Sequence, residues 1–239
     1  LINTAESPER ERSALDTLWQ QEIDGAILSS PRLPTNTLYP IIERFPAVVL
    51  VNRELEKPRQ GIGTINVDDR LGAQMAVKKF LALGRRRIGH LAGPDTSISS
   101  RRRLEGYREA LIESSVGFDQ NLVEHCIPLT EGGCEGAHRL LERCPDLDAI
   151  FCFNDLSAVG AIQACLETKR AVPQNVAVIG ADDIPLASLV TPRLSTLHVD
   201  PNSIGSQAMT MLANLINHPK HSPKPVVIQP ELTLRQSAP

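Results

Sequence analysis

What is scarce in this 239-residue chain narrows its possible functions before any motif is found. No apolar run approaches the roughly 20 residues that cross a bilayer, so a helical membrane span is excluded. There is no surplus of positive charge: 25 Lys and Arg stand against 28 Asp and Glu, and the net charge of -3 argues against a nucleic-acid module as the bulk of the chain. Aromatic residues are few, and the arginine triplets Arg85-Arg86-Arg87 and Arg101-Arg102-Arg103 have none interleaved, so they do not make a stacking surface for single strands. The first 125 residues hold no cysteine. The five that follow, Cys126, Cys134, Cys144, Cys152 and Cys165, are odd in number and without a close pair, which favours small core residues in a reducing, cytoplasmic setting over a disulfide scaffold. A nucleophile elbow, a phosphate-binding glycine loop and an HExxH zinc sequence are all absent, so an enzyme is not expected. No cofactor is expected, and no metal: His218 and His221 are the one close histidine pair, in a proline-rich loop.

What remains is 41% apolar residues in a folding pattern. Ser7-Pro8-Glu9 reads as a helix start, a capping hydroxyl before proline at the first turn, leading to Leu15, Leu18 and Trp19 on one face. Ala26-Ile27-Leu28 and Ala47–Val51 read as strands apolar on both sides, the pattern of parallel strands covered by helices. Leu1-Ile2-Asn3 reads as the tail of another strand, as in a fragment. Leu71–Leu83 is helical by spacing, with Gly84 as its cap. Strand and helix then alternate: strand Ile88–Ala92, helix about Arg101–Ser115, strand about Leu122–Ile127, helix about Gly133–Arg143, strand Ala149–Phe153, helix Leu156–Thr168, strand Val176–Gly180. Beyond these come an extended Leu194–Val199, a helix through Ile204 and Leu215, and a strand pair or bent strand over Val226–Leu234. Such order predicts right-handed crossovers, a mainly parallel sheet, and ligands beyond the carboxyl ends of its strands.

The loops after those strands supply the candidate ligand residues. Asp182, first of the pair after Ile179-Gly180-Ala181, can accept hydrogen bonds from vicinal hydroxyls or a base, although a turn or capping role would also suit it. Asn154 follows Ala149–Phe153 and can both donate and accept toward a hydroxylated ligand, while Asp155 is suited to capping the next helix, with pure capping the rival reading for both. Arg103, one turn before Tyr107, is the member of its triplet best placed to aim inward, three solvent-facing arginines being the alternative, and cations at a helix start need a compensating carboxylate, anion or hydroxyl cluster. The triplet at Arg85–Arg87 follows a helix end, where cations are favoured, and is read as structural.

These residues resemble the effector-binding core of the lactose-repressor/galactose-repressor (LacI/GalR) family of bacterial transcription regulators. The resemblance is carried in order by Asp24-Gly25, Val67-Asp68-Asp69 with Gly72 and Ala76, Leu83-Gly84 with Arg87-Ile88, and Ala92-Gly93-Pro94. It continues through Arg103 with Gly106-Tyr107, Asn154-Asp155, Val172-Pro173, Val176–Gly180, Asp182-Asp183, Leu194-Ser195-Thr196 and Pro230-Glu231-Leu232 with Arg235. It implies an α/β fold of two parallel-sheet subdomains of periplasmic-binding-protein type joined by three crossovers, near Gly84, Val199 and His221. Residues 1–84 and 200–220 would form the first subdomain, lacking its first strand, and residues 85–199 and 221–239 the second. A sugar-like or purine-like effector would lie between them on Arg103 and Asp182, with Asn154 and Asp68. Asp182 and Arg103 are expected to be removable without loss of the fold. Operator DNA would be read only by a helix-turn-helix domain absent from the chain, in a cytoplasmic homodimer. Three departures accompany the match: Ala181 in place of an aromatic residue before the aspartates, no aromatic platform at Pro128–Gly133, and Arg85 where histidine is common. An exported solute-binding protein of a sugar transporter is the alternative reading.

Overall fold

The computed structural model describes residues 1–5 and 7–239. In chain order the elements are α1 (Pro8–Gln20), β1 (Ala26–Ser29), α2 (Thr35–Ile42), β2 (Val48–Val51), β3 (Ile62–Val67), α3 (Asp69–Ala82), β4 (Ile88–Ala92), α4 (Ile98–Glu113) and β5 (Val123–His125). Then come α5 (Thr130–Arg143), β6 (Ala149–Cys152), α6 (Asp155–Glu167), β7 (Ala177–Ala181), β8 (Ser195–His198), α7 (Pro201–Asn217), β9 (Val226–Ile228) and β10 (Glu231–Thr233). The chain divides into two units, Leu1–Val67 with Asp200–Ile228, and Asp68–Val199 with Gln229–Pro239.

The first unit holds a parallel sheet in the order β1-β2-β3-β9. Side chains on β2 alternate between its two faces, as a strand requires. Val48 and Leu50 meet Leu15 of α1 and Leu38, Ile41 and Ile42 of α2, whereas Val49 and Val51 meet Ala208, Leu212 and Leu215 of α7. The start of α1 is the expected cap, with Ser7 Oγ accepting from the Arg10 amide. Two elements escape the sequence patterns. Helix α2 carries Pro40 inside it, and β3 interrupts its apolar residues with Gly63, Thr64 and Asn66 while being buried along most of its length. Leu1–Asn3 form no strand.

The second unit holds a sheet in the order β10-β8-β7-β6-β4-β5, parallel except for β10. Its central strands β4, β6 and β7 are buried along their whole length and nearly all apolar because both faces are covered. Leu91, Ile150, Cys152 and Val178 pack toward α5 and α6, while Ile88, Phe151, Ala177 and Ile179 pack toward α3 and α4. Four of the cysteines are buried, Cys134 is partly exposed, and all five are free thiols.

The crossing expected near Gly84 lies instead at Val67/Asp68. Helix α3 belongs with the second unit, since Val77 and Phe80 are buried with Tyr107 and Leu111 of α4. The crossing expected near His221 lies at Ile228/Gln229. Consequently Val226–Leu234 is not a strand pair: β9 adds to the first sheet and β10 pairs antiparallel with β8 in the second. Arg85 is occupied locally, its guanidinium donating to the carbonyls of Pro173 at 2.5 Å and Gln174 at 3.2 Å. Arg86 and Arg87 donate their amides to the Asp148 carboxylate, at 2.8 and 3.0 Å.

The helix pairs of this unit touch through glycines. A Cβ on Gly106 in α4 would fall 2.1 Å from the Arg70 carbonyl oxygen, and one on Gly160 in α6 would fall 2.1 Å from that of Thr130. In contrast, Gly205 in α7 has nothing within 4 Å of such an atom. Thermal unfolding should therefore separate two chemically identical changes. Gly106→Ala costs about 3 kcal/mol through overpacking, and Gly205→Ala stabilises by about 0.5–1 kcal/mol through helix propensity.

Candidate functional site

In the second sheet β4 leads through α4 to β5 on one side, and β5 leads through α5 back to β6 on the other. The chain order thus reverses between β4 and β6, and ligands of open α/β sheets bind at the carboxyl ends of the strands flanking such a switch point. Gly93 follows β4, Phe153 follows β6 and Asp182 follows β7. A Cβ on Gly93 would fall 2.7 Å from the Phe153 ring, so glycine is what lets that ring lie at the strand ends.

Arg103 of α4 points to this place. Its Nε donates to Asp69 Oδ1 at 2.8 Å, its Nη2 lies 2.8 Å from the same oxygen, and its Nη1 donates to the Phe153 carbonyl. The guanidinium carbon lies 5.1 Å from the centre of the Phe153 ring, and Asp182 Oδ1 is 3.6 Å from Nη2. Both Arg103 and Asp69 are buried, whereas the Asp182 side chain is 49% exposed. Burial works against the charge on Arg103, but the Asp69 and Asp182 carboxylates override it and hold the guanidinium above its ordinary pKa. Burial raises the pKa of Asp182, with Arg103 pulling the other way. The result is a fixed cation with one spent carboxylate behind it and one half-exposed carboxylate in front, suited to a ligand that donates hydroxyl or amide hydrogens.

The backbone at Asp182 and Asp183 is held at φ of 109° and 51°, conformations that side-chain-bearing residues seldom adopt. Several bonds impose them. The Asp182 amide donates to the Leu197 carbonyl at 2.9 Å, and the Asp183 carboxylate lies 2.7 Å from Arg235 Nη2 and 3.0 Å from His198 Nδ1. Asp155, wholly buried, accepts the Ile184 amide at 2.9 Å and the Thr196 hydroxyl at 2.5 Å. Gly180 makes room for it, since a Cβ there would lie 2.3 Å from Asp155 Oδ1.

Of the four residues named from sequence, Arg103 and Asp182 are brought together. Asn154 and Asp68 are engaged as helix caps. Asn154 Oδ1 accepts the Ser157 amide at 2.9 Å in a capping box, and its Nδ2 donates to the Pro128 carbonyl at 3.0 Å. The expected division between Asn154 and Asp155 is therefore reversed: Asn154 caps α6, and Asp155 ties the aspartate loop to β8. Asp68 Oδ1 accepts the Leu71 amide at 3.0 Å and caps α3, and it is Asp69, one position on, that reaches Arg103. The arginine triplet does not begin its helix. Helix α4 starts at Ile98 behind the Ser97 cap, so Arg101–Arg103 fall beyond the first turn, where the exposed amides repel cations less. Asp69 and Phe153 were not named from the sequence, although the Val67-Asp68-Asp69 run contained one of them.

This geometry, a polar site at the switch point of a doubly wound parallel sheet, defines a ligand-binding core of periplasmic-binding-protein type. The family described as periplasmic binding protein-like domain matches residues 77–238. The ribose operon repressor of Escherichia coli K12 is 32% identical over the whole of this chain and 72% of its own length. The HTH-type transcriptional regulator CelR of Thermobifida fusca is 29% identical over 91% of this chain, which spans 64% of that protein. A solved transcriptional regulator CelR-cellobiose complex superposes with a TM-score of 0.88 at 28% identity, covering 97% of this chain and 71% of that one. The chain belongs to the LacI/GalR family of transcription regulators and is an effector-binding core of that family.

Two outcomes test the electrostatics. Burial lifts the Asp155 carboxyl from an ordinary 3.8 to about 7, against the hydrogen bonds from Thr196 and Ile184. The folded chain therefore holds this proton more tightly than the unfolded one. The stabilisation that Asp155 contributes is full below its unfolded pKa and lost as pH rises through about 7, at about 1.4 kcal/mol per pH unit. Unfolding of Asp155→Asn against the parent across pH should show the variant gaining relative stability over that window, where a constant difference would contradict it. His90, buried and lowered to about 4 by desolvation, has the opposite slope, so the comparison has to be made between variants at each pH. The second outcome bears on the expectation that Arg103 is dispensable for folding, against which its pairing with buried Asp69 argues. Arg103→Ala leaves Asp69 buried without its cation and should cost about 3–5 kcal/mol in denaturant unfolding.

Proposed function

We propose that this chain is the sensor of a homodimeric repressor or activator that binds a small sugar-like or related polar metabolite through Asp182 and Arg103. Asn154 and Asp68 stand beside them as further ligand contacts. Asn154 retains one amide hydrogen and Asp68 one carboxylate oxygen beyond their capping bonds. A helix-turn-helix domain outside these residues would read operator DNA. The observation that carries this reading is the pairing of a buried, doubly anchored Arg103 with a half-exposed Asp182 at the ends of neighbouring strands. The printed names of the relatives agree with it: one represses a ribose operon and one was solved with cellobiose. Exposed Leu166 lies near Val159, Ile162, Val172 and Val190 on the second unit, an apolar surface that suits a second copy. No helix among the described residues is long and apolar enough to cross a membrane, and the regulator acts in the compartment that holds its operator.

For such a sensor to regulate, the effector has to favour one conformation over another, and a tenfold change in operator affinity needs about 1.4 kcal/mol of that coupling. The test is a thermal-shift panel of pentoses, hexoses, disaccharides, sugar phosphates and purines. A sugar should raise the midpoint of the parent chain, and Asp182→Asn, which keeps the fold because its side chain is half exposed, should lose that shift. An undiminished shift in the variant would contradict the assigned site.

A further inference from the structure

Away from the effector residues, on the outer face of α5 and α6, three side chains of metal-binding type converge. Cys134 and His138 are four residues apart on α5 and so project from the same side, one turn apart. Glu167 ends α6. Its Oε2 is the common point of the group, 2.7 Å from His138 Nε2 and 3.9 Å from Cys134 Sγ. The three donor atoms all lie within 4.8 Å of one another.

The placement is rigid for a stated reason. Beside this group α5 and α6 touch backbone to backbone, since a Cβ on Gly160 would lie 2.5 Å from the Cys134 amide nitrogen and one on Gly133 would lie 2.3 Å from the Ser157 carbonyl oxygen. Side chains on either helix then reach across one shared distance. A fourth residue orients the carboxylate: Gln163, one turn before Glu167, donates to Oε1 at 2.9 Å and leaves Oε2 to the other two. That is the outer hydrogen bond with which proteins fix a ligating carboxylate. A surface ion pair would account for His138 and Glu167 alone; the thiol directed at the same oxygen and the amide holding the other oxygen make a set of three. Cys134 is also the one cysteine of this chain that is not buried.

We propose that Cys134, His138 and Glu167 bind one zinc-like divalent ion, with Gln163 as the positioning residue and water in the fourth place. One thiolate, one imidazole and one carboxylate suit a tetrahedral borderline metal, and they do not suit calcium or magnesium, which take oxygen donors. On binding, the metal coordinates His138 through Nε2, with the ring proton carried on Nδ1 or released to solvent, and the thiol proton leaves to solvent. The side chains of His138 and Glu167 are 40% and 48% exposed, which leaves an ion free access. The proposal stands independently of the effector reading.

The metal-free chain would be titrated with Zn2+ against a chromophoric chelator, and with Co2+ followed by absorption. The result expected is one equivalent bound at micromolar or tighter affinity, with a sulfur-to-cobalt charge-transfer band and the d–d bands of a tetrahedral ion. Cys134→Ser should lose the charge-transfer band, and His138→Ala and Glu167→Gln should lose the bound equivalent. Gln163→Ala should weaken binding about tenfold. A control with His218 and His221 both changed to Ala should bind as the parent does. Absence of micromolar binding, or an equivalent that persists in Cys134→Ser and His138→Ala alike, would overturn the proposal. These partly exposed positions leave the metal-free melting temperature as the check that each variant is folded.

Discussion

The second unit depends on one buried charge pair. Arg103 is drawn out of water by α4, and Asp69 at the start of α3, with Asp182 farther off, compensates its buried charge. The Asp69 contact ties the start of α3 to the second turn of α4, and the same guanidinium reaches the Phe153 carbonyl at the end of β6 and approaches Asp182 at the end of β7. A buried ion pair adds little net stability compared with apolar packing, but removing one partner is expensive, so such a pair specifies an arrangement more than it strengthens a fold. Here the arrangement specified is the position of the half-exposed carboxylate. An arginine suits this task because its planar fork can meet a carboxylate, a carbonyl and an aromatic face at once, which an ammonium cannot.

Around that pair the protein accepts local costs. The two aspartates after β7 adopt positive φ, and Asp155 beneath them is buried without a cation of its own. Hydrogen bonds from Thr196 and the Ile184 amide offset part of the second cost, and the Asp183 contacts with Arg235 and His198 hold the first in place. Strain of this kind persists only where the surroundings over-determine it, and it favours a loop whose side chain is aimed before any ligand arrives. The sparse aromatic content has a counterpart in the site: the Phe153 ring is taken by Arg103, which in the proposed reading leaves recognition to carboxylate and guanidinium.

Much of this was legible in the residues, and the exceptions have physical causes. Alternating strands and helices from Ile88 to Gly180 could be read because the central strands β4, β6 and β7 are covered on both faces and so are nearly all apolar. Helix α2 and strand β3 could not, since Pro40 breaks the usual helical vocabulary and β3 interrupts its apolar residues with Gly63, Thr64 and Asn66. The crossing into the second unit was placed too late because a helix pattern does not say which neighbour it packs against; only Phe80 and Val77 against Tyr107 decide that. In the site, the residue types were readable and the assignments were not. An Asp-Asp or Asn-Asp pair before a helix contains one capping residue and one that points elsewhere, and which is which depends on a rotation of about 100° per residue that sequence does not fix. Asp68 and Asp69, and Asn154 and Asp155, were each decided by that rotation.

The most direct measurement is a crystal structure of the chain with whichever sugar stabilises it. A ligand hydroxyl within hydrogen-bond distance of an Asp182 carboxylate oxygen, with Arg103 still anchored on Asp69, is the result this account predicts. A ligand held elsewhere in the chain, with Asp182 open to solvent and no polar contact to Arg103, would contradict it.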